Sequence, residues 1–189
     1  MEKDRLIWER KFWQLDCQRV LGLDEAGRGP LAGPVAIGGV IWPANCEVHP
    51  QIKDSKQLSA QARQELVDYI KTQSLAWEIV LISPKIIDKI NILEAVKQGM
   101  RQIVQRLNPD ALISDAVSLN IYNLPQIALV KGDDLSYSVA AASILAKTAR
   151  DEYMLSMDHK YPQYGFAEHF GYPTKKHRLA LEQKGVSPI

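Results

Sequence analysis

Four carboxylates stand where short apolar segments of the chain end. They are Asp24 and Glu25 after the segment VLGL, Asp115 after ALIS, and Asp133 after IALVKG. An acid in an apolar strand is costly without a partner, and neighbouring acids raise one another's pKa values, so such a set favours a bound cation. Ligands that are all hard oxygens select Mg²⁺ or Mn²⁺ rather than zinc. The four acids therefore predict a site for divalent cations.

The chemistry that such a site supports is phosphodiester cleavage. Two cations roughly 3.5–4 Å apart can activate a water molecule and stabilise the leaving oxygen. The acids must then converge, yet adjacent residues such as Asp24 and Glu25 normally face opposite sides of a sheet. Gly27 and Pro30 indicate that the strand stops here, which would let both side chains reach one site. Each acid alone is more simply a surface residue at a turn, but four together favour function.

A glycine loop, DEAGRGPLAGPV, spans residues 24–35. Because Gly27 and Gly29 have no side chains, their backbone can lie against a ribose or a phosphate, and Arg28 between them can reach a phosphate. A backbone group this close could hydrogen-bond a 2′-hydroxyl, the group that separates RNA from DNA. The alternative is a strained turn in which the glycines only relieve steric crowding.

A dinucleotide-binding fingerprint is a rival interpretation of the same loop. Gly27, Gly29 and Ala32 match its glycine spacing, and Glu47 lies twenty residues past Gly27. That fingerprint must open a helix whose N-terminus holds a pyrophosphate. Pro34 and a β-rich segment follow instead, so the sequence argues against this interpretation.

The elements that must position these residues follow from hydrophobic periodicity and from turn residues. Alternating strands and helices predict an α/β fold with a mixed sheet flanked by helices. The small residues VAAAS near the start of the longest helix would let it pack tightly under the site, and its first amides could bind a phosphate. The predicted strands are 19–24, 35–42, 77–82, 111–114 and 127–130, and the predicted helices are 4–15, 59–71, 92–107, 136–159 and 174–184.

Composition bounds the class of protein. The 189 residues suit one domain with a small C-terminal appendage, and the 46% hydrophobic and 24% charged residues are those of a globular protein. No signal peptide is recognisable and no apolar run approaches the ~20 residues of a membrane helix. Cys17 and Cys46 do not form a CxxC pair, which favours reduced thiols in a cytoplasmic protein. After His159, basic and aromatic residues interleave as they do in nucleic-acid grooves, but this feature alone favours a solvated helix with packing aromatics.

The chain resembles the ribonuclease HII family, the bacterial type 2 ribonucleases H. The glycine loop resembles the family signature, and further blocks follow in the family's order and spacing along the whole chain. They are DSKQLS at 54–59, the strand end at Asp115, KGDDLSYSVAAASILAKTARD at 131–151, and YPQYGFAEHFGYPTKKH at 161–177.

This resemblance implies a ribonuclease H-like fold with a mixed five-stranded sheet flanked by helices. Residues 1–160 would form the catalytic domain, and 161–189 a helical segment of the same compact unit that contacts the substrate. The implied activity is endonucleolytic cleavage of the RNA strand of RNA–DNA hybrids, and of single ribonucleotides in duplex DNA. Cleavage would fall 5′ of the ribonucleotide and leave 5′-phosphate and 3′-hydroxyl ends, in ribonucleotide removal and primer degradation. The implied enzyme is a monomer that uses Mn²⁺ or Mg²⁺.

The resemblance also implies a role for individual residues. Asp24, Glu25 and Asp115 would be metal ligands and Asp133 the fourth active-site carboxylate. The remaining implied contacts are with substrate: Gly27, Arg28 and Gly29 as the loop that senses the 2′-hydroxyl, Tyr172 stacked on the sugar beyond the scissile phosphate, and Lys56 on the backbone. The chain departs from the family pattern in having Ala116 after Asp115 and Phe170 where a basic residue is frequent.

Two other functions are compatible with the same residues. The first is a binding module that holds hybrids without cutting them, but four retained acids would disfavour pure phosphate binding. The second is a related metal nuclease that acts on DNA junctions. An assay on a duplex with one ribonucleotide, compared with an all-DNA duplex, separates the three.

Overall fold

The computed structural model describes residues 4–52 and 60–189. The sheet is formed by five strands: β1 (Val20–Ala26), β2 (Val35–Ile41), β3 (Ala76–Ile82), β4 (Ala111–Asp115) and β5 (Gln126–Leu129). Their order is β3-β2-β1-β4-β5, with β1 at the centre. The β1–β2 and β2–β3 pairs are antiparallel, whereas β1–β4 and β4–β5 are parallel, so the mixed five-stranded sheet predicted from the sequence is confirmed.

Helices flank this sheet and form the C-terminal part of the chain. The longer predicted helices are present with bounds close to those expected, and three short ones were not predicted: α3, α5 and α7. The helices are α1 (Ile7–Trp13), α2 (Ala60–Gln73), α3 (Pro84–Ile90), α4 (Ile92–Leu107), α5 (Gly132–Leu135), α6 (Tyr137–Lys160), α7 (Phe166–His169) and α8 (Lys175–Lys184), with a 3₁₀ turn at Pro162–Tyr164.

The long helix α6 lies directly on the backbone of β1 and β2. A Cβ atom on Gly22 would lie 2.3 Å from the backbone of Ser138, and one on Gly38 would lie 2.2 Å from the carbonyl oxygen of Ala142. Such an approach needs glycine on the strand and small residues on the helix, which explains the run of alanines at the start of α6. The tight packing expected from this run is confirmed.

Helix α4 covers the opposite face of the sheet. A Cβ atom on Gly39 would point at Ile103 of α4, 2.5 Å away, whereas its neighbour Gly38 faces α6. Asn91 caps the N-terminus of this helix, because its side chain accepts the amide of Glu94 at 3.1 Å, and Asn108 caps the C-terminus in the left-handed conformation. Its buried residues recur at helical spacing and form one apolar stripe: Ala95, Val96, Gly99, Met100 and Ile103.

The N-terminus of α6 is occupied by a protein carboxylate. Glu9 of α1 is fully buried and accepts hydrogen bonds from the Ser136 hydroxyl at 2.6 Å and from the Ser138 amide at 2.9 Å. Burial raises the pKa of Glu9, while these hydrogen bonds act in the opposite direction. The expectation that the first amides of this helix bind a substrate phosphate is therefore wrong, because an internal acid already caps them.

The C-terminal segment packs on the second half of α6. Phe166 is fully buried and makes edge contacts with the rings of His169 and His177, which stack on each other with centroids 4.5 Å apart. Burial, together with the neighbouring His169, lowers the pKa of His177. These rings, like the buried Tyr164, form a small core, so the structure favours the packing interpretation for most of the C-terminal aromatics. Tyr172 is the exception among those named here, with 42% of its surface exposed.

The two cysteines, Cys17 and Cys46, are both free thiols, as the sequence predicts. Across residues 4–52 and 60–189, no helix combines the length and the hydropathy that crossing a bilayer requires.

Candidate nuclease site

Asp24 and Asp115 come together because their strands are parallel neighbours. The last paired residues of β1 and β4 are Leu23 and Ser114, so the acid that follows each pair stands at the same edge of the sheet. On the other side, β1 stays paired with β2 as far as Ala26. The prediction that β1 stops at Asp24 is therefore right for the pairing of β1 with β4. It is wrong for the pairing with β2, which continues to Ala26. Glu25 still lies inside the antiparallel ladder.

One cleft of about 430 Å³ opens at this edge of the sheet. All four predicted acids line it, and so do the glycine loop and the single predicted aromatic contact. The predicted residues on its wall are Asp24, Glu25, Gly27, Arg28, Gly29, Asp115, Asp133 and Tyr172. Lys56, the remaining predicted contact, lies outside the described residues, together with the rest of the DSKQLS block.

Asp24 is the most buried acid of the cleft, with 5% of its surface exposed. Its pKa is raised well above the ordinary value, first by burial and then by the charges of Glu25 and Asp115, against a hydrogen bond with Ser143 that lowers it. A negative charge at this position is therefore unfavourable unless a positive charge is close to it. The site fits a divalent cation on these grounds, because a cation would stabilise all three carboxylates at once.

Three of the acids are turned towards donors of the protein. Asp24 Oδ1 accepts the amide of Glu25 at 2.7 Å, Glu25 Oε1 pairs with Arg28 Nη1 at 3.1 Å, and Asp115 Oδ1 accepts the amide of Gly132 at 2.7 Å. Within the described part of the chain, no group of three or more His, Cys, Asp or Glu side chains is arranged closely enough to coordinate one metal ion. Like-charged carboxylates repel, and each of these bonds engages one oxygen of a group that has two. The acids share a cleft and keep acceptor capacity for a cation.

Asp133 reaches the cleft from a helix rather than from a strand. Strand β5 ends at Leu129, and Asp133 sits in the single turn of α5, which was not predicted. Gly132 brings this turn against β4, because a Cβ atom there would lie 3.2 Å from the Asp115 Cα. Asp133 is half-buried on the cleft, whereas the neighbouring Asp134 is exposed and does not line it. The geometry thus distinguishes between two acids that the sequence left adjacent.

Gly27 and Gly29 of the glycine loop lack a side chain for different reasons. Gly27 has a φ of +113°, and a Cβ atom there would lie 2.4 Å from Arg150 Nε, so sterics alone require glycine. Gly29 has no positive φ, and an added Cβ atom would make only an ordinary contact of 3.6 Å with the Tyr172 ring. Crowding therefore explains Gly27 but not Gly29, whose bare backbone faces the cleft beside Tyr172.

The structure excludes the dinucleotide-binding interpretation of this loop. Strand β2 begins at Val35, directly after Pro34, and returns antiparallel to β1. A dinucleotide fold would place a helix N-terminus at this point to bind the pyrophosphate. The loop is a strand-to-strand connection and provides no such terminus.

Sequence reasoning missed two residues of the cleft wall, Arg63 and Ser143. Arg63 Nη2 pairs with Asp151 at 3.1 Å, and Lys147, which also lines the cleft, pairs with the same carboxylate at 2.7 Å. Asp151 therefore holds two cationic side chains at the wall of the cleft. A single arginine on an amphipathic helix normally points to solvent, so the pattern of α2 carries no signal for Arg63.

A mixed five-stranded sheet that gathers acids at the ends of its central strands, beside a glycine loop, defines the chain as a nuclease with a ribonuclease H fold. The sequence model of ribonuclease HII matches residues 21–189. The chain belongs to the ribonuclease HII family. The ribonuclease HII of Halalkalibacterium halodurans is 43% identical over 199 aligned positions, covering 100% of this chain and 75% of the relative. That of Acholeplasma laidlawii is 44% identical over 191 positions, covering 100% and 93%.

A solved structure confirms the fold. The ribonuclease HII of Archaeoglobus fulgidus, determined in complex with PCNA, superposes with a TM-score of 0.76 at 26% identity, covering 89% of this chain and 90% of that one. The ribonuclease H-like fold predicted from the motifs is therefore confirmed, and the chain is a ribonuclease H nuclease.

Proposed function

We propose that this nuclease cuts duplexes on the 5′ side of a ribonucleotide, leaving 5′-phosphate and 3′-hydroxyl ends. Its substrates are single ribonucleotides embedded in DNA and the RNA strand of RNA–DNA hybrids, and its role is ribonucleotide removal and primer degradation. It acts as a cytoplasmic monomer. The observation that carries the proposal is that the acids, the bare backbone of Gly29 and the exposed ring of Tyr172 line the same cleft.

The acids Asp24, Glu25, Asp115 and Asp133 are proposed to hold divalent cations, Mg²⁺ or Mn²⁺. When bound, such ions activate a water molecule and stabilise the leaving 3′-oxygen. Asp24 supports this role most directly, because its buried charge is disfavoured by two acidic neighbours. Glu25 pairs with Arg28 through Oε1, so the carboxylate keeps acceptor capacity for the ion.

Recognition of the ribose is proposed to involve Gly29 and Tyr172 together. The exposed Gly29 leaves its peptide group accessible to a 2′-hydroxyl, and the Tyr172 ring lies beside Gly29 on the same cleft, where it can stack on the neighbouring sugar. Arg28 is exposed, and its guanidinium can reach a phosphate of the same strand. Residues 161–189 are thus the segment that contacts the substrate, with Lys56 as a further backbone contact.

The test is a cleavage assay on two duplexes that differ by one oxygen atom. One carries a single ribonucleotide, the other is all DNA, and each is incubated with Mg²⁺ and with Mn²⁺. We expect one cut 5′ of the ribonucleotide, mapped by end-labelling, and no cut in the all-DNA duplex. Cleavage of both duplexes would indicate a DNA nuclease, and binding without cleavage would indicate a hybrid-binding module.

Acid variants test the assigned site within the same assay. Asp24→Asn and Asp115→Asn should abolish cleavage while the protein remains folded and still binds the duplex. Asp133→Asn should reduce cleavage strongly, whereas Asp134→Asn is the matched control, since its exposed neighbour position lies off the cleft. Full activity in Asp24→Asn or Asp115→Asn would refute the assignment.

A further inference from the structure

Arg150 of α6 is buried beneath the cleft, with 1% of its surface exposed. Its guanidinium donates to three backbone carbonyls: Nε to Pro34 at 3.0 Å, Nη1 to Phe170 at 3.0 Å, and Nη2 to Ala32 at 3.1 Å. Two of these carbonyls belong to the glycine loop, and the third lies two residues before Tyr172.

We propose that Arg150 is a positioning residue for ribonucleotide recognition, holding the glycine loop and the Tyr172 loop in the relative position that the ribose site requires. The inference rests on the proposed function and deepens it, because it names the residue that sets the geometry of the sugar site. Arg150 itself contacts no substrate in this scheme and acts through two loops that do.

The two loops touch directly where Arg150 joins them. The Leu31 amide donates to the Gly171 carbonyl at 2.9 Å, and a Cβ atom on Gly171 would lie 2.3 Å from the Ala32 carbonyl oxygen. The Arg150 guanidinium also lies under the Tyr172 ring, 5.8 Å from its centroid. A shift of this side chain would therefore move both walls of the sugar site.

The chemistry of the guanidinium explains why arginine occupies this place. Burial lowers the pKa of Arg150, whereas the nearby Tyr172 and Asp151 raise it, and in the described part of the chain no carboxylate forms an ion pair with it. Its N–H groups are satisfied by the three carbonyls instead. A planar fork can serve three carbonyls from two loops in one plane, whereas a lysine ammonium cannot match that geometry. An apolar residue would leave these carbonyls without their donor.

The experiment compares Arg150→Lys and Arg150→Gln with the wild-type enzyme in steady-state cleavage of the duplex that carries one ribonucleotide. The all-DNA duplex is added as a competitive inhibitor, and its inhibition constant reports general duplex binding. We expect kcat/KM for the ribonucleotide duplex to fall about 100-fold, the scale expected when reacting groups shift by about 1 Å. The inhibition constant of the all-DNA duplex should change at most a few-fold, since it reports phosphate contacts such as Arg28 and Lys56 rather than the fit of a 2′-hydroxyl beside Gly29 and Tyr172.

Met100→Ala serves as the stability control. Met100 is fully buried on the opposite face of the sheet, so its truncation lowers the melting temperature without touching either loop. We measure this variant well below its melting temperature. The ratio of its kcat/KM for the ribonucleotide duplex to its inhibition constant for the all-DNA duplex should then equal the wild-type ratio. Arg150→Lys, which keeps the buried charge, carries the test if Arg150→Gln does not fold.

The outcomes separate this inference from the proposed function. Wild-type enzyme that does not discriminate the two duplexes overturns both. If a folded Arg150 variant discriminates the two duplexes as well as wild type does, the positioning role alone is overturned. The same holds if Met100→Ala loses as much discrimination as the Arg150 variants do. A selective loss in the Arg150 variants supports it.

Discussion

Arg5 donates a hydrogen bond from Nη2 to the backbone carbonyl of Asp133, at 2.8 Å. Its other terminal nitrogen donates to the carbonyl of Ile52, and its own carbonyl accepts the amide of Tyr137 at 2.8 Å. Arg5 precedes residue 21, where the match to the family model begins. A residue outside the family match thus fixes the turn that carries the fourth acid of the cleft.

Replacing Arg5 with methionine should therefore slow cleavage without abolishing it. The substitution keeps an unbranched stem but removes both bonds, so the α5 turn loses a restraint and Asp133 becomes less well placed. We expect kcat on the ribonucleotide duplex to fall about tenfold, within the range that small misplacements of catalytic groups produce. Steady-state kinetics at saturating Mg²⁺ measure the effect.

The control for this change is Arg10→Met. Arg10 lies one turn further along the same N-terminal region, is exposed, and pairs with Asp4 on the surface. Its loss should leave both kcat and the melting temperature nearly unchanged. Equal kcat values for Arg5→Met and wild type would show that the Asp133 turn holds its position without Arg5.

Glu9 predicts a pH dependence of stability whose sign follows from its burial. The folded protein raises the pKa of Glu9 above 4.5, so between the two values it binds the proton more tightly than the unfolded chain does. Raising the pH through this window therefore lowers the free energy of unfolding, and the Glu9 contribution is largest below the unfolded pKa. Glu9→Gln lacks this titration.

Urea unfolding of wild type and Glu9→Gln across the same pH series measures the difference. We expect the free energy of unfolding of wild type to fall relative to that of Glu9→Gln as the pH rises above about 4.5. A constant difference between the two proteins over the series would show that Glu9 titrates normally in the fold.

Periodicity predicted the frame of this protein because the frame depends on local apolar patterns. The alternating strands and the stripe of α4 follow from residues a few positions apart, and the bounds agree to within a few residues. Helix α5 could not be found in this way, because the four residues of GDDL carry no periodicity. Its position is set by Gly132 against Asp115 and by Arg5, which are contacts between distant parts of the chain.

The acids were predictable and the arginines were not. Several acids that each follow an apolar segment signal a site where a single one would not, and Asp24 and Asp115 lie together as expected. Arg63 and Arg150 occupy helices where arginine is ordinary, and only the packing of two loops on α6 shows that Arg150 is buried. A residue that positions a site through hydrogen bonds to backbone carbonyls is hard to recognise from the sequence pattern of its own helix.

Gly27→Ala and Gly29→Ala should separate a folding requirement from a recognition requirement. Alanine at 27 must adopt a φ of +113° against Arg150, so we expect a clear fall in melting temperature. Alanine at 29 meets the Tyr172 ring at an ordinary distance, so its melting temperature should match wild type. Its methyl group would nonetheless crowd the peptide group proposed to contact the ribose, and kcat/KM on the ribonucleotide duplex should fall about tenfold.

Calorimetry and steady-state kinetics on the same preparations distinguish these effects. Wild-type kcat/KM in Gly29→Ala would remove the argument that its bare backbone serves the sugar. An unchanged melting temperature in Gly27→Ala would show that the loop relaxes around the added methyl group.

Divalent cations should stabilise the wild-type fold through Asp24. Cations that bind the folded state stabilise it by mass action, by about 2.7 kcal/mol at 100 times the dissociation constant. In buffer with a chelator, Asp24→Asn should melt at or above the wild-type temperature, because it removes a buried charge that Glu25 and Asp115 disfavour. Adding Mg²⁺ or Mn²⁺ should raise the melting temperature of wild type and leave that of Asp24→Asn almost unchanged.

The control is Asp134→Asn, a change at a position outside the cleft, which should respond to the cations as wild type does. An equal rise in melting temperature in all three proteins would place the stabilising cations elsewhere on the molecule. If Asp24→Asn melts below wild type in buffer with a chelator, the Asp24 carboxylate is already stabilised by the protein without a cation.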